Sequence, residues 1–268
     1  MVSAQQYLEW YDACHNSSLG IGEFLEHIIE KIYSHVLLPG DSAIDCGANR
    51  GRHTFPIHKS VAPGGLVIGI EALPALATKL LNRIRDEQLA GIEIINQAIG
   101  SAKGRSSFAY VKGDDAYSGV LQRRDLPERT VPTVSTLDVP MTTLDCVIEE
   151  LHVSSVRFVK MDLEGGEYDA LRGASAMLRA ARPPLIVFEN GRSASADLYG
   201  YSSNAWFKLF SDSDYHTFDL FGRPFSKKDW LSKNLPWYFI AAKRTQDMEL
   251  VNWELPNLVE SVYSSLTH

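Results

Sequence analysis

Two short segments carry residues whose types and spacing suit chemistry. The first is Ala43-Ile44-Asp45-Cys46-Gly47-Ala48-Asn49-Arg50-Gly51, an apolar run that meets an acid and then a glycine loop. Gly47 and Gly51 permit positive φ and let a ligand approach the backbone. Asn49 belongs to the non-glycine types that best tolerate a left-handed conformation. A helix beginning after the loop, at about Arg52, offers free N–H groups and positive potential. Glu71 ends the next apolar run, where a carboxylate can accept hydrogen bonds from both ribose hydroxyls of a nucleoside. Loop and acid together make a nucleoside-binding pattern.

The details narrow that pattern. The spacing Gly-x-Asn-x-Gly is not the G-x-G-x-x-G of nicotinamide enzymes, and the absence of GxxxxGK[ST] gives no support for a P-loop nucleotidase. Asp45 would repel a pyrophosphate but suits the ammonium of a methionine group. S-adenosylmethionine carries that ammonium and no phosphate.

The second segment is Phe158-Val159-Lys160-Met161-Asp162-Leu163-Glu164-Gly165-Gly166-Glu167. Asp162 ends an apolar run and is expected to face the same crevice as Asp45, because ligands of open α/β sheets sit at the carboxyl ends of strands. Glu164 and Glu167 follow at the start of a helix, where a carboxylate also suits the helix dipole. Lys160 shares the strand face of Asp162 and can pair with an acid.

These residues need elements to position them. Residues 4–36 read as helical, with Ile21, Phe24, Leu25, Ile28, Ile29 and Ile32 at three- and four-residue spacing. This stripe is expected to cover the chain's own cleft or to form a homodimer. Strands are predicted at Ser42–Cys46, Leu66–Glu71, Ile92–Asn96, Val156–Asp162, Leu185–Glu189, Tyr215–Leu220 and Trp237–Lys243. Helices are predicted at Arg52–Val61, Pro74–Leu89, Thr142–Leu151, Glu167–Ala180 and Asn204–Ser211. Strands alternating with helices imply a mostly parallel sheet covered on both faces. The connection Phe221–Pro236 shows no clear helix, which makes the last strand antiparallel. The expected organisation is an N-terminal helical arm over 1–38, one α/β domain over 39–245 with an insertion over 101–136, and a C-terminal tail over 246–268. Within the insertion, Lys112–Thr130 holds Asp114, Asp115, Tyr117, Arg123, Arg124 and Asp125, and is expected to act as a lid on the acceptor. Tyr199, Tyr201 and Trp206 read either as a stacking platform for a sugar ring or as core.

The strings AIDCGANRGRHTF, IGIEALP, TLDCVIEE and VRFVKMDLEGGEYDALRGASAMLRAARPPLIVFE closely resemble the FkbM family of S-adenosylmethionine-dependent methyltransferases, over about Leu38 to Lys243. The resemblance implies a Rossmann-like class I methyltransferase fold, a seven-stranded mostly parallel sheet with an antiparallel last strand. It implies O-methylation of a hydroxyl on a sugar, glycan or natural product. It also implies that Asp45, Gly47, Ala48, Asn49 and Gly51 form the cofactor loop, with Thr54 beside it, that Glu71 holds the ribose, and that Gln97 and Ala98 lie by the adenine. Asp162 would lie near the methionine end and the acceptor.

An alcohol is a poor nucleophile while protonated, so a base or a metal must act on its proton. Asp162 after the fourth strand, with Glu189-Asn190 after the fifth, resembles the magnesium site of catechol-type O-methyltransferases. Oxygen ligands from Asp162, Glu189 and Asn190 would suit Mg²⁺, although the first acid of the pair is Glu rather than Asp. Without metal, Asp162, Glu164 or Glu189 is the candidate base, with His53 a further option or a plain helix-surface histidine.

Composition sets the outer bounds. The 268 residues, 45% hydrophobic and 22% charged, fit a folded domain and exclude wholesale disorder. Lys plus Arg is 26 against 33 Asp plus Glu, a net charge of −7 that disfavours a nucleic-acid partner. No Asn/Asp-Pro-Pro-Tyr/Phe amine-methylation motif follows the fourth strand. Two further alternatives are a non-catalytic S-adenosylmethionine-binding protein and an N-methyltransferase of a small molecule. Three cysteines without a CxxC argue against a disulfide framework or structural zinc site. The first residues lack signal-peptide character and no apolar run approaches membrane-spanning length, so a cytoplasmic location is expected.

Overall fold

A computed structural model describes residues 3–16, 20–112, 118–121, 133–232 and 235–267 of the chain. Asp114, Asp115, Tyr117, Arg123, Arg124 and Asp125 of the expected lid lie outside the described residues.

The helical N-terminal stretch comprises α1 (Ala4–Asn16) and α2 (Gly20–Val36). The stripe Phe24, Leu25, Ile28, Ile29 and Ile32 is buried within the chain's own core. β1 (Ser42–Cys46) leads through the glycine loop to α3 (Thr54–Val61). Pro56 falls in the first turn of α3, where its missing N–H has no intrahelical partner to lose. β2 (Leu66–Ile70) and α4 (Pro74–Asp86) follow, with Pro74 at the favoured first helical position.

After β3 (Ile92–Ile95) come the short β4 (Ala98–Ile99), then β5 (Gly104–Lys112) and β6 (Thr133–Thr142). β5 and β6 pair antiparallel from Gly104↔Met141 to Lys112↔Thr133, while β4 runs parallel to β6. β4, β6 and β5 form a separate three-stranded sheet within the stretch expected as an insertion. α5 (Leu144–Glu150) is capped by Thr143, whose side chain accepts from the Cys146 N–H at 3.1 Å.

β7 (Phe158–Met161) precedes α6 (Glu167–Arg172) and α7 (Ser175–Leu178). The single helix predicted over 167–180 breaks at Gly173. There the backbone packs so closely that a Cβ would stand 2.2 Å from the Gly100 carbonyl oxygen. β8 (Leu185–Glu189), α8 (Ser193–Tyr199), α9 (Ser203–Ser211), β9 (His216–Asp219) and β10 (Tyr238–Ala242) complete the main layers. The tail is helical, with α10 (Thr245–Glu249), a π turn over Leu250–Glu254, and α11 (Leu255–Thr267).

The main sheet has the order β3-β2-β1-β7-β8-β10-β9. β3, β2, β1, β7 and β8 run parallel, and β10 is antiparallel to both of its neighbours. This is the expected Rossmann-like sheet with its last strand reversed. The strands are near-continuous apolar runs because helices cover both faces. Phe158, Phe188 and Phe239 are fully buried at its centre, each worth about 1.5–3 kcal/mol in transfer from water. α1 is tied to α11 by the Trp10 indole N–H, which donates to Glu260 at 2.9 Å. Among the described residues, no helix is long and apolar enough to cross a membrane.

Candidate active site

β1 lies between β2 and β7, and the chain continues to opposite sides from these two central strands. Such a switch point opens a crevice at the carboxyl ends of the strands. The glycine loop spans it. Gly47 and Ala48 donate their N–H groups to the Ile70 carbonyl at 2.9 and 3.0 Å. Asn49 takes φ +48°, and its N–H donates to Glu71 Oε2 at 2.7 Å. Glu71 Oε1 accepts from the Leu73 N–H at 2.8 Å. Glu71 thus anchors the loop itself. Gly51 closes the turn onto the Ala48 carbonyl at 2.7 Å.

A cavity of about 460 Å³ runs along this edge, within the size range of small-molecule sites. One end is formed by Glu71, Leu73, Leu76, Gln97, Ala98 and Phe108. The other end carries Glu26, His53, Lys160, Asp162 and Glu164. β3 and β7 are three strand spacings apart in the sheet order, about 14 Å. The lining therefore has an apolar end with one carboxylate and a charged end. Ser118 and Val120 of the insertion also line it.

Asp45 and Thr54 sit outside that lining. Asp45 is 1% exposed, its Oδ2 accepts from Thr54 Oγ1 at 2.6 Å, and its Oδ1 is buried without a hydrogen-bond partner. Asp45 is therefore placed behind the loop rather than in the cavity. His53 is buried, not a surface histidine, and its Nε2 is paired with Glu26.

Asp162, Glu164 and Glu189 each bring a carboxylate oxygen within 4.8 Å of the others. Asp162 Oδ2 accepts from Lys160 Nζ at 3.1 Å and from the Tyr238 hydroxyl at 2.9 Å. Burial pushes the Asp162 carboxyl up, but the Lys160 charge and hydrogen bonds from Glu189, Lys160 and Tyr238 outweigh it and hold Asp162 well below the usual range. Burial and the Asp162 and Glu164 charges push Glu189 well above its ordinary value. The two carboxyls hydrogen-bond each other, so they titrate as a pair rather than singly. Burial disfavours the Lys160 cation, yet Asp162, Asp45 and Glu26 keep it charged.

Asn190 does not join this group. Its Nδ2 donates to the Tyr201 hydroxyl at 3.3 Å and its Oδ1 accepts from the Arg192 N–H at 2.6 Å. Glu164 takes the third place instead, in a left-handed conformation at φ +54° that a non-glycine residue adopts only under constraint. The Tyr199 hydroxyl holds the Glu164 carbonyl at 3.4 Å and receives the Leu121 N–H at 3.4 Å, joining the insertion to this loop. Tyr201 and Trp206 belong to the aromatic core. Tyr201 stacks on Tyr168 at 4.4 Å, and Trp206 is fully buried.

Glu167 is a structural acid. Its Oε1 accepts from the Leu163 and Gly165 N–H groups at 2.7 and 3.4 Å, and it is fully buried. Burial pushes its carboxyl up from 4.5 to about 7 against those backbone bonds. The folded protein therefore binds a proton there that the unfolded chain releases, so this stabilisation is complete below about pH 4.5 and is lost as pH rises through about 7. Glu167→Gln is expected to melt several degrees above the parent at pH 8 and within a degree or two of it at pH 4.5. Equal melting differences at both pH values would contradict the assignment.

Two residues at the charged end escape motif reading, Glu26 in the cavity lining and Tyr238 behind it. Glu26 comes from α2, and Tyr238 bridges Glu26 Oε1 and Asp162 Oδ2 at 2.9 Å each. A signal for Tyr238 exists in the antiparallel last strand, whose first residue pairs with Glu189 at the carboxyl edge.

The sheet order and the glycine loop at its switch point define a Rossmann-like methyltransferase fold. The chain belongs to the FkbM methyltransferase family, since the family described as Methyltransferase FkbM domain matches residues 45–216. No curated protein matches it. Among solved structures, it is similar to a methyltransferase FkbM from Methylobacillus flagellatus KT, at 17% identity and a TM-score of 0.48, with 80% of this chain and 50% of that one covered. The chain thus spans about half the length of that relative. It is also similar to Aeropyrum pernix fibrillarin in complex with natively bound S-adenosyl-L-methionine, at 14% identity and a TM-score of 0.42, covering 82% and 76%. A third is a putative methyltransferase from Streptococcus mutans in complex with SAH, at 10% identity and a TM-score of 0.43, covering 80% and 93%.

Proposed function

We propose that the protein transfers a methyl group from S-adenosylmethionine to a hydroxyl of a sugar, glycan or natural product. The observation that carries this reading is the two-ended cavity, with Glu71 among apolar walls at one end and the Asp162–Glu189 pair beside the other. S-adenosylmethionine supplies an activated sulfonium methyl. Glu71 accepts from the ribose, while Gln97, Ala98 and Phe108 enclose the adenine. Asp162 orients the acceptor hydroxyl, and the Asp162–Glu189 pair takes its proton as the new bond forms. Phe108 and Val120 narrow the access of water. The rate gain from this alignment is the larger share, because a methyl transfer needs donor, methyl and acceptor in line.

The net charge of −7 argues against a nucleic-acid acceptor. Methyl-tritium transfer assayed across sugars, glycans, macrolides and RNA tests the reading. Label in a hydroxyl-bearing acceptor is expected; label in RNA alone would reject it.

A second reading rests on the three convergent carboxylates. Asp162, Glu164 and Glu189 form an oxygen-rich group that suits Mg²⁺ and would weaken the hold of the acceptor oxygen on its proton. EDTA treatment with Mg²⁺ add-back separates the two: turnover unchanged after stripping assigns the proton to the carboxyl pair alone.

A further inference from the structure

We propose that Glu26, on α2, binds the α-ammonium of the cofactor's amino-acid end. This rests on the S-adenosylmethionine reading above and names a residue outside the family-matched segment 45–216. That cofactor has a nucleoside at one end and a zwitterion at the other. Glu71 and the apolar walls take the nucleoside end of the cavity, so the zwitterion falls at the end lined by Glu26, His53, Lys160 and Asp162.

An ammonium there needs anionic acceptors. Asp45, the acceptor expected from the sequence, lies outside the lining. Glu26 is inside it, with its side chain 17% exposed. Burial raises the Glu26 carboxyl, but the His53 hydrogen bond and the Lys160 charge outweigh it and keep Glu26 ionised.

The hydrogen-bond count points the same way. The Tyr238 hydroxyl stands 2.9 Å from Glu26 Oε1 and 2.9 Å from Asp162 Oδ2, yet it has one proton to give. Whichever carboxylate receives it, the other meets a lone pair. An ammonium with three N–H donors, placed between the two acids, supplies what the hydroxyl cannot.

The helix is fixed for this task. Arg52, next to the glycine loop, pairs with Glu23 at 2.9 Å and Glu30 at 3.5 Å, one helical turn either side of Glu26. His53 pairs with the far oxygen, Glu26 Oε2. Loop and helix therefore hold the Glu26 carboxylate in register with Asp162.

Calorimetry on the full chain tests this with two probes. S-adenosylhomocysteine has the amino-acid end, and 5′-methylthioadenosine lacks it. Glu26→Gln is expected to weaken S-adenosylhomocysteine about tenfold or more and to leave 5′-methylthioadenosine within about twofold. Glu26→Asp, which keeps the charge but shortens the reach, is expected to fall between parent and Glu26→Gln for the first ligand only, and it carries the test if Glu26→Gln does not fold. Equal weakening of both ligands, or of neither, would overturn the inference while leaving the cofactor reading intact. Parent protein that binds neither ligand would overturn both.

Discussion

Asp162→Ala is expected to lower methyl transfer by about 10³-fold or more while the protein still folds, with S-adenosylhomocysteine binding weakened rather than lost. The size of the effect comes from three losses at one position. In the proposed function Asp162 orients the acceptor and takes its proton together with Glu189, and in the structure it also offsets the buried Lys160 ammonium at 3.1 Å. Positioned proton transfer alone contributes about 10²–10⁴-fold. Stability is affected separately. Lys160 is buried, and removing its nearest carboxylate leaves only the Asp45 and Glu26 charges to offset the cation, at a cost of up to about 3–5 kcal/mol. Lys160→Met added to Asp162→Ala is therefore expected to recover much of the melting temperature and none of the activity. Removing the Asp162 charge also takes away a cause of the raised Glu189 carboxyl, so any residual activity should have its pH profile moved to lower pH. Full turnover in Asp162→Ala would remove this residue from the reaction.

Gly47→Ala is expected to abolish measurable S-adenosylhomocysteine binding and to lower the melting temperature by about 5 °C or more. Gly47 has φ +80°, where an L-residue pays about 1–2 kcal/mol, and its new Cβ would stand 2.0 Å from the Asp162 carbonyl oxygen. That contact cannot be relieved by a side-chain rotation, because the atom it meets is backbone of the β7 loop. Either the glycine loop or the Asp162 loop must move, and both line the cavity. Binding and melting temperature unchanged from the parent would show that the two loops are not coupled as described.

The strand-end acids are legible in the sequence for a simple reason. Glu71, Asp162 and Glu189 each end a short apolar run, so a parallel sheet brings them to one edge before any contact is known. The reversed last strand is legible from the helix-poor connection before it. Asn190 misleads because adjacent residues at a strand end point to opposite sides, and its amide turns to Tyr201 and Arg192 instead. Asp45 misleads similarly: being at the right strand does not place it on the cavity side of the loop.

Glu26 is hidden by distance and by pattern. Glu23, Glu26 and Glu30 read as the solvated face of an amphipathic helix, and the partners that give Glu26 its role, His53 and Tyr238, lie 27 and 212 residues away. Tyr238 in turn sits in an apolar run that reads as core. The helix break at Gly173 escapes periodicity because it falls where the backbone packs closely on Gly100 and Thr143, 73 and 30 residues earlier (173 − 100 and 173 − 143). The helical tail is equally silent, since its packing against the N-terminal helices depends on pairs such as Trp10 with Glu260.

A crystal structure with S-adenosylhomocysteine bound is the most direct test of the central claim. The account predicts the ribose hydroxyls within hydrogen-bond distance of Glu71, the adenine against Gln97 and Ala98, and the amino-acid end between Glu26 and Asp162. A ligand seated away from Glu71, or with its nucleoside at the Asp162 end of the cavity, would contradict it.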